Sequence, residues 1–267
     1  MTVVNKLDAL FAATRDEARA ALVGYLPAGY PTVDDSKRTL AAMLDAGCDL
    51  VEVGIPFSDP VLDGPVIQAA ANQALHEGFR VRDVFGVVES VASAGGLAVV
   101  MTYWNPVYRY GVDAFARDLA SAGGLGVITP DLIPDEASEW IAASSSYDLD
   151  RIFLLAPSSS EERIVSTLPV TSGFVYAASV MGVTGARDAV SSSAAALVGR
   201  IRAHTDMPIG VGLGVRSGSQ AAELAAVADA VIVGSAFVSR AAQGVAEVRA
   251  LAAELAEGVR GTVSSVG

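Results

Sequence analysis

The sequence predicts an α/β protein: a (β/α)8, or TIM, barrel with one extra helix at its N-terminus. Three observations carry this. Eight short apolar runs alternate with helical patterns along the chain. The runs are continuously apolar, as strands of a parallel sheet buried on both faces are. The chain has 267 residues, close to the roughly 250 that such a barrel takes. A doubly wound open sheet is the alternative, and eight repeats count against it.

The elements follow in order. Residues 1–19 are mixed and charged and read as the extra helix, capping the bottom of the barrel. Residues 21–26 (ALVGYL) are the first strand, and 34–46 a helix stopped by Gly47. DLVEV, 49–53, is the second strand, followed by helical patterns at 65–77 and 81–94. LAVVM, 97–101, is the third, followed by a helix at 112–122 ending at Gly123-Gly124. GVIT, 126–129, is the fourth, with a helix from Asp135 to Ser144. RIFLLA, 151–156, and a short helix at 160–167 come next, then GFVYAA, 173–178, and a helix over 192–204. PIGVGL, 208–213, a helix at 217–227, AVIVG, 230–234, and a closing helix at 244–257 complete the set. No Pro/Gly/Ser linker divides the chain, so residues 1–267 are expected to be a single barrel domain.

Composition narrows the function classes. Eighteen basic residues against thirty acidic give a net charge of −12, which repels a phosphate backbone and disfavours nucleic-acid partners. A single phosphate remains possible, because backbone amides at a helix N-terminus can hold it without a cation. Cys48 is the only cysteine, so neither an intrachain disulfide nor a thiolate cluster is expected. His76 and His204 sit apart in helical stretches and form no metal constellation. No signal-peptide core opens the chain, and no apolar run reaches the ~18 residues of a membrane span. The expectation is a cytoplasmic protein with no membrane contact.

In such a barrel the chemistry belongs at the C-terminal ends of the strands. Strand two runs into EVGIPFSDPVLDGP, 52–65. Glu52 lies in an apolar strand, where desolvation makes a carboxyl hold its proton longer and suits it to acid–base work. Asp59 and Asp63 follow in a loop stiffened by Pro56 and Pro60. GVGLGVRS, 210–217, and VGSAFVSR, 233–240, are small-residue loops entering helices after strands seven and eight, a frequent phosphate site in this fold. MGVTGARDA, 181–189, follows strand six and completes the cradle or forms a lid. MTYWNP, 101–106, places aromatics after strand three, and Tyr176 ends strand six. Together these describe a barrel enzyme for a phosphorylated substrate with a flat or apolar body. The residues alone leave isomerase, lyase and aldolase open.

EVGIPFSDPVLDGP resembles the signature of tryptophan synthase alpha chains. The likeness continues in order through Gly24-Tyr25-Leu26-Pro27-Ala28-Gly29-Tyr30-Pro31, MTYWNP, TPDLIPDE (129–136), Tyr176, Gly182-Val183-Thr184-Gly185, Gly212-Leu213-Gly214 and Gly234-Ser235-Ala236. The resemblance implies a lyase of tryptophan biosynthesis that cleaves indole-3-glycerol phosphate to indole and glyceraldehyde 3-phosphate. It implies Glu52 as proton shuttle, Asp63 at the indole N–H, and Tyr176 beside the reacting centre. It assigns phosphate to Gly185, Gly214, Gly234 and Ser235, and the indole pocket to Tyr25, Met101, Tyr103, Ile128, Pro130, Leu213 and Ile232. Tyr25 and Leu213 depart from the phenylalanines common in the family, and Pro130 from a smaller residue. The lid would comprise loops 54–64 and 179–191, with Thr184 in the second. Pro56, Asp59, Asn105, Tyr108 and Asp131 would meet a beta subunit in an α2β2 assembly. Pyridoxal phosphate would belong to that subunit, and this chain would carry neither cofactor nor metal.

Other readings are weaker. A phosphate-binding sugar isomerase would pair carboxylates at strands one and five, or a Cys with an Asp; here strand one offers Gly24-Tyr25 and strand five ends in Ala156-Pro157. A class I aldolase needs a strand-end lysine, and Lys6 and Lys37, the only two, do not end strands. A subunit that only activates its partner remains open.

Overall fold

The computed structural model describes residues 5–178 and 187–261. Eight parallel strands close into a barrel in chain order, with β1 paired to both β2 and β8. The strands are β1 Ala21–Pro27, β2 Leu50–Gly54, β3 Ala98–Met101, β4 Gly126–Thr129, β5 Asp150–Leu155, β6 Val175–Ala178, β7 Ile209–Gly212 and β8 Ala230–Val233. The helices among the described residues are α1 Lys6–Asp16, α2 Val33–Asp45, α3 Pro65–His76, α4 Asp83–Ser93, α5 Trp104–Tyr110, α6 Val112–Ser121, α7 Ser138–Ser146, α8 Glu161–Thr167, α9 Arg187–Arg202, α10 Gly218–Ala225, α11 Ser235–Ala241 and α12 Val245–Val259. None of them is long and apolar enough to cross a membrane.

Each strand is apolar on both faces because each face meets a separate core. Side chains alternate across a strand with period two. One set fills the barrel: Ala21, Val23, Leu50, Val99, Ile128, Ile152, Phe174, Tyr176, Ala230 and Ile232. The other set, including Leu22, Val51, Val53, Val100, Val127 and Phe153, packs outward against the helices. The first helix closes the bottom. Its Leu7 and Phe11 join the inner core, and the Phe11 ring lies 5.6 Å from that of Phe174. Asn5 caps α1 by accepting from the Leu7 N–H at 2.8 Å, while its amide donates to Asp150 at the start of β5 at 2.8 Å. Asp49, just ahead of β2, accepts two bonds from the Arg19 guanidinium and one from the Leu22 N–H, tying the entries of β1 and β2 together.

Four local features depart from the expectation. Residues 235–241, read as part of a small-residue loop, form the short helix α11. α5 was not anticipated, because Pro106 and a run of aromatics mask its helical period. Pro106 is tolerated because it lies in the first turn, where no intrahelical donor is needed. The helix expected over Asp135–Ser144 is split into a 3-10 turn at Pro134–Glu136 and α7. α9 begins at Arg187, five residues earlier than expected. Cys48 is buried, with its thiol pushed up by burial, and it packs behind Gly24, as expected of a packing residue.

Candidate active site

A cavity of about 120 Å³ opens at the C-terminal mouth of the barrel. Its floor is the last inward-facing layer of the strands: Tyr25 from β1, Glu52 from β2, Met101 from β3, Leu154 from β5, Tyr176 and Ala178 from β6, Gly212 from β7 and Ile232 from β8. Its walls come from the loops and helix starts above: Leu62, Asp63 and Gly64, Ile67 on α3, Gly214, Gly234 and Ser235.

Glu52 is 1% exposed, and its Oε1 has no hydrogen-bond partner among the described residues. Burial, and then the nearby Asp63 carboxylate, push its pKa up to about 8. It is therefore a neutral acid at pH 7, able to give a proton and take it back. Asp63 is half-buried, and its carboxyl is raised by burial, with a hydrogen bond from the Tyr103 hydroxyl pulling the other way. The two carboxyls thus stand in one cavity with different solvation, a common way of separating acid and base roles.

Two tyrosines flank Glu52. Both phenols are pushed well above their ordinary range, first by burial and then by neighbouring carboxylates, so they remain protonated. The hydroxyl end of each ring lies against a glycine of the adjacent strand. A Cβ at Gly54 would come within 2.5 Å of the Tyr25 hydroxyl, and one at Gly212 within 2.6 Å of the Tyr176 hydroxyl. A larger residue at either place would have to displace the phenol, which occupies the space of a side chain.

The remaining expected residues fall in several places. Ile128 is in the inner core below the cavity, and Leu213 packs partly buried against the outer core. Pro130 is half-buried after β4. Tyr103 is buried behind the 55–64 loop rather than in the cavity wall, its hydroxyl accepting from the N–H groups of Val61 and Leu62. Pro56 is buried, whereas Asp59, Asn105, Tyr108 and Asp131 are exposed around the same mouth. Thr184 and Gly185 lie outside the described residues, as does most of the 179–191 loop. Leu154, Ile67, Leu62 and Ala178 were not anticipated. Leu154 lies two residues beyond Ile152 on the inner face of β5, a placement that the continuous apolar run does not mark. Arg216 and Arg240 line a groove that adjoins the cavity through Gly64 and Ser235.

His76 and His204 are both exposed, and His204 lies 3.1 Å from Glu161. Among the described residues no group of three or more His, Cys, Asp or Glu side chains is gathered as a metal site.

Fold and site together define a (β/α)8-barrel enzyme whose cavity pairs a desolvated acid with a second carboxylate beneath small-residue loops. Comparison with known proteins makes the assignment specific. A family model described as "Tryptophan synthase alpha chain" matches residues 11–265. Tryptophan synthase alpha chain from Nocardia farcinica is 66% identical over 99% of this chain and 100% of its own. That from Mycobacteroides abscessus is 64% identical over 97% of this chain and 99% of its own. A structure of Mycobacterium tuberculosis tryptophan synthase superposes with a TM-score of 0.92 at 59% identity, covering 96% of this chain and 98% of that one. A tryptophan synthase subunit alpha from Legionella pneumophila, at only 28% identity, still gives 0.89 over 96% and 99%. The chain belongs to the tryptophan synthase alpha chain family. It is a lyase of tryptophan biosynthesis that cleaves indole-3-glycerol phosphate to indole and glyceraldehyde 3-phosphate.

Proposed function

We propose that Glu52 and Asp63 divide the proton transfers of this retro-aldol cleavage. The observation that carries the reading is the buried, unpartnered Glu52 Oε1 at the floor of a cavity whose wall bears Asp63. Protonated Glu52 gives its proton to C3 of the indole ring. Asp63, as a carboxylate, accepts the ring N–H and stabilises the positive charge that forms on that nitrogen. Glu52, now ionised, takes the proton of the hydroxyl on the carbon attached to C3. The carbon–carbon bond breaks, its electrons return to the ring, and the hydroxyl carbon becomes the aldehyde of the product. Glu52 ends the cycle as it began it, and no redox partner is needed.

The other assignments follow from the same layout. Tyr176 stands beside the reacting carbon. Tyr25, Met101 and Ile232 face the indole from the cavity walls, with Tyr103, Ile128, Pro130 and Leu213 behind them. Gly214, Gly234 and Ser235 offer backbone N–H groups to the phosphate, together with the Ser235 hydroxyl and with Gly185 from the 179–191 segment. That segment, through Thr184, and loop 54–64 act as lids that exclude water. Residues 1–267 work as one domain, in the cytoplasm.

The same mouth is the docking face for a beta subunit in an α2β2 enzyme. Val61, Leu62, Tyr108 and Ile133 are large apolar side chains exposed around it. Exposed apolar side chains gathered on one face mark contact surfaces. Pro56, Asp59, Asn105, Tyr108 and Asp131 belong to that contact, through which indole passes on. Pyridoxal phosphate serves the beta subunit's reaction, and this chain binds no cofactor of its own.

Indole release from indole-3-glycerol phosphate, measured with and without a beta subunit for wild type and Glu52→Gln, tests the reading. Release should rise with the partner and fall by about 100- to 10,000-fold in the variant, the range for loss of an acid–base group. A Glu52→Gln enzyme close to wild type would remove Glu52 from the chemistry.

A further inference from the structure

We infer that Tyr103 is a positioning residue: its hydroxyl latches the segment 61–63 and so fixes where the Asp63 carboxylate stands in the cavity. The inference rests on the role proposed for Asp63. A phenol hydroxyl has one donor and two acceptor positions, and here both acceptor positions are engaged by consecutive backbone N–H groups. The oxygen accepts from the Val61 N–H at 3.1 Å and the Leu62 N–H at 3.0 Å. Asp63, the next residue along, faces the same hydroxyl, which lowers its carboxyl against the effect of burial.

Both sides of the latch are held. Tyr103 is 5% exposed and directly precedes α5. The Thr102 hydroxyl donates to the Tyr103 carbonyl at 2.9 Å, and the Thr102 N–H donates to Ile128 on β4 at 3.1 Å. On the loop side, the Phe57 ring packs 5.2 Å from the Tyr103 ring. The Gln68 amide donates to the Asp63 carbonyl at 2.7 Å, and the Ile55 N–H donates to Met101 at 2.9 Å. The loop is therefore pinned at its two ends and, between them, by one hydroxyl. Val61 itself is 74% exposed and Leu62 40%, so their side chains contribute little burial to hold the segment in place.

The groups facing Asp63 are Glu52 from β2, Tyr25 from β1, Tyr176 from β6 and Tyr103. Of these, Tyr103 is the one that favours the ionised form of Asp63.

Tyr103→Phe keeps the ring and its packing on Phe57 and removes only the hydroxyl. In the full chain, kcat should fall about 10- to 100-fold with KM little changed, the range for losing a hydrogen bond to a charged group. The acid limb of the pH–rate profile should move to higher pH, because Asp63 loses the neighbouring hydroxyl that favours its ionised form. Hydrogen exchange at the Val61 and Leu62 amides should speed up while exchange in the barrel strands stays as in wild type. A rise in KM with kcat retained would be the behaviour of a substrate-contacting wall residue and would overturn the inference. So would an unmoved acid limb, or unchanged exchange at residues 61 and 62. Asp63→Asn, assayed in parallel, separates the two claims. Full activity in that variant would sink the catalytic role of Asp63, while the exchange measurement would still decide whether Tyr103 holds the loop.

Discussion

Two carboxyl groups are buried among the described residues of this barrel, one at each end, and they are treated in opposite ways. Asp150, at the bottom, is 4% exposed and Glu52, near the top, is 1% exposed. Burial raises both. Asp150 accepts a bond from the Asn5 amide at 2.8 Å, so its carboxylate helps dock the N-terminal helix. Glu52 keeps an oxygen without a partner, at the floor of a cavity. The contrast recurs along single strands. Val23 and Tyr25, Leu50 and Glu52, and Phe174 and Tyr176 are two residues apart on the inner face, the first of each pair in the inner core and the second at the cavity floor. One step of the pleat carries the barrel from packing to chemistry. Buried polar groups left unsatisfied are rare enough that each calls for a reason, and an oxygen at the floor of a cavity is free to meet a substrate.

The comparison breaks most sharply on pH. The ordinary value for Glu52 is 4.5, and in the folded chain it stands at about 8. Between those values the folded protein holds a proton that the unfolded chain has released, so stability falls as pH rises across the window and levels off above it. Glu52→Gln removes this dependence. The stability difference between variant and wild type should change by an amount on the order of 4–5 kcal/mol from below the window to above it, with the variant relatively better at high pH. Urea titrations of both proteins at several pH values measure it. Parallel pH dependences would mean that Glu52 is ionised in the folded protein at neutrality, and the acid role would fail with it.

Removing the other carboxyl should do the reverse. Asp150→Ala leaves the Asn5 amide without its acceptor and opens a gap under the barrel. A loss of about 2–3 kcal/mol is expected, with kcat and KM per folded molecule unchanged. If instead activity fell while the unfolding midpoint stayed in place, the division of the barrel into a packing end and a working end would be wrong.

Much of this architecture is legible in the sequence because parallel strands buried on both faces are continuous apolar runs between helical periods. The same property hides the finer division. In β5 nothing in the order of Ile152, Phe153 and Leu154 says which residues face inward, so Leu154 could not be picked for the cavity. Glu52 could be singled out as a charge inside LVEVG, although an acidic residue that merely faces a lysine in a barrel strand would read the same way. Tyr103 was visible as an aromatic at a strand end, but its contact with Val61 and Leu62 spans 42 and 41 residues, and no local pattern encodes that pairing. α5 was hidden because a proline and three aromatics within seven residues read as loop, while what starts the helix lies on another strand's end: Asp131, whose carboxylate accepts from the Trp104 N–H at 2.8 Å.

That last contact yields the smallest of the expected effects and links the proposed docking face to the cavity. Asp131 lies 27 residues from the helix it caps. Tyr103 directly precedes that helix, and Asn105 and Tyr108 lie within it. Asp131→Ala should cost about 1 kcal/mol, the usual worth of a helix N-terminal cap, because the Trp104 N–H then has only water to bond. The loss should be local. Exchange at Trp104 should quicken first, and any effect on Val61 and Leu62 should be smaller than in Tyr103→Phe, because the hydroxyl latch is still present. If Asp131→Ala frees the loop as fully as Tyr103→Phe does, α5 rather than the hydroxyl is what holds Asp63, and a partner bound to Asn105 and Tyr108 would then act on the site by fixing that helix.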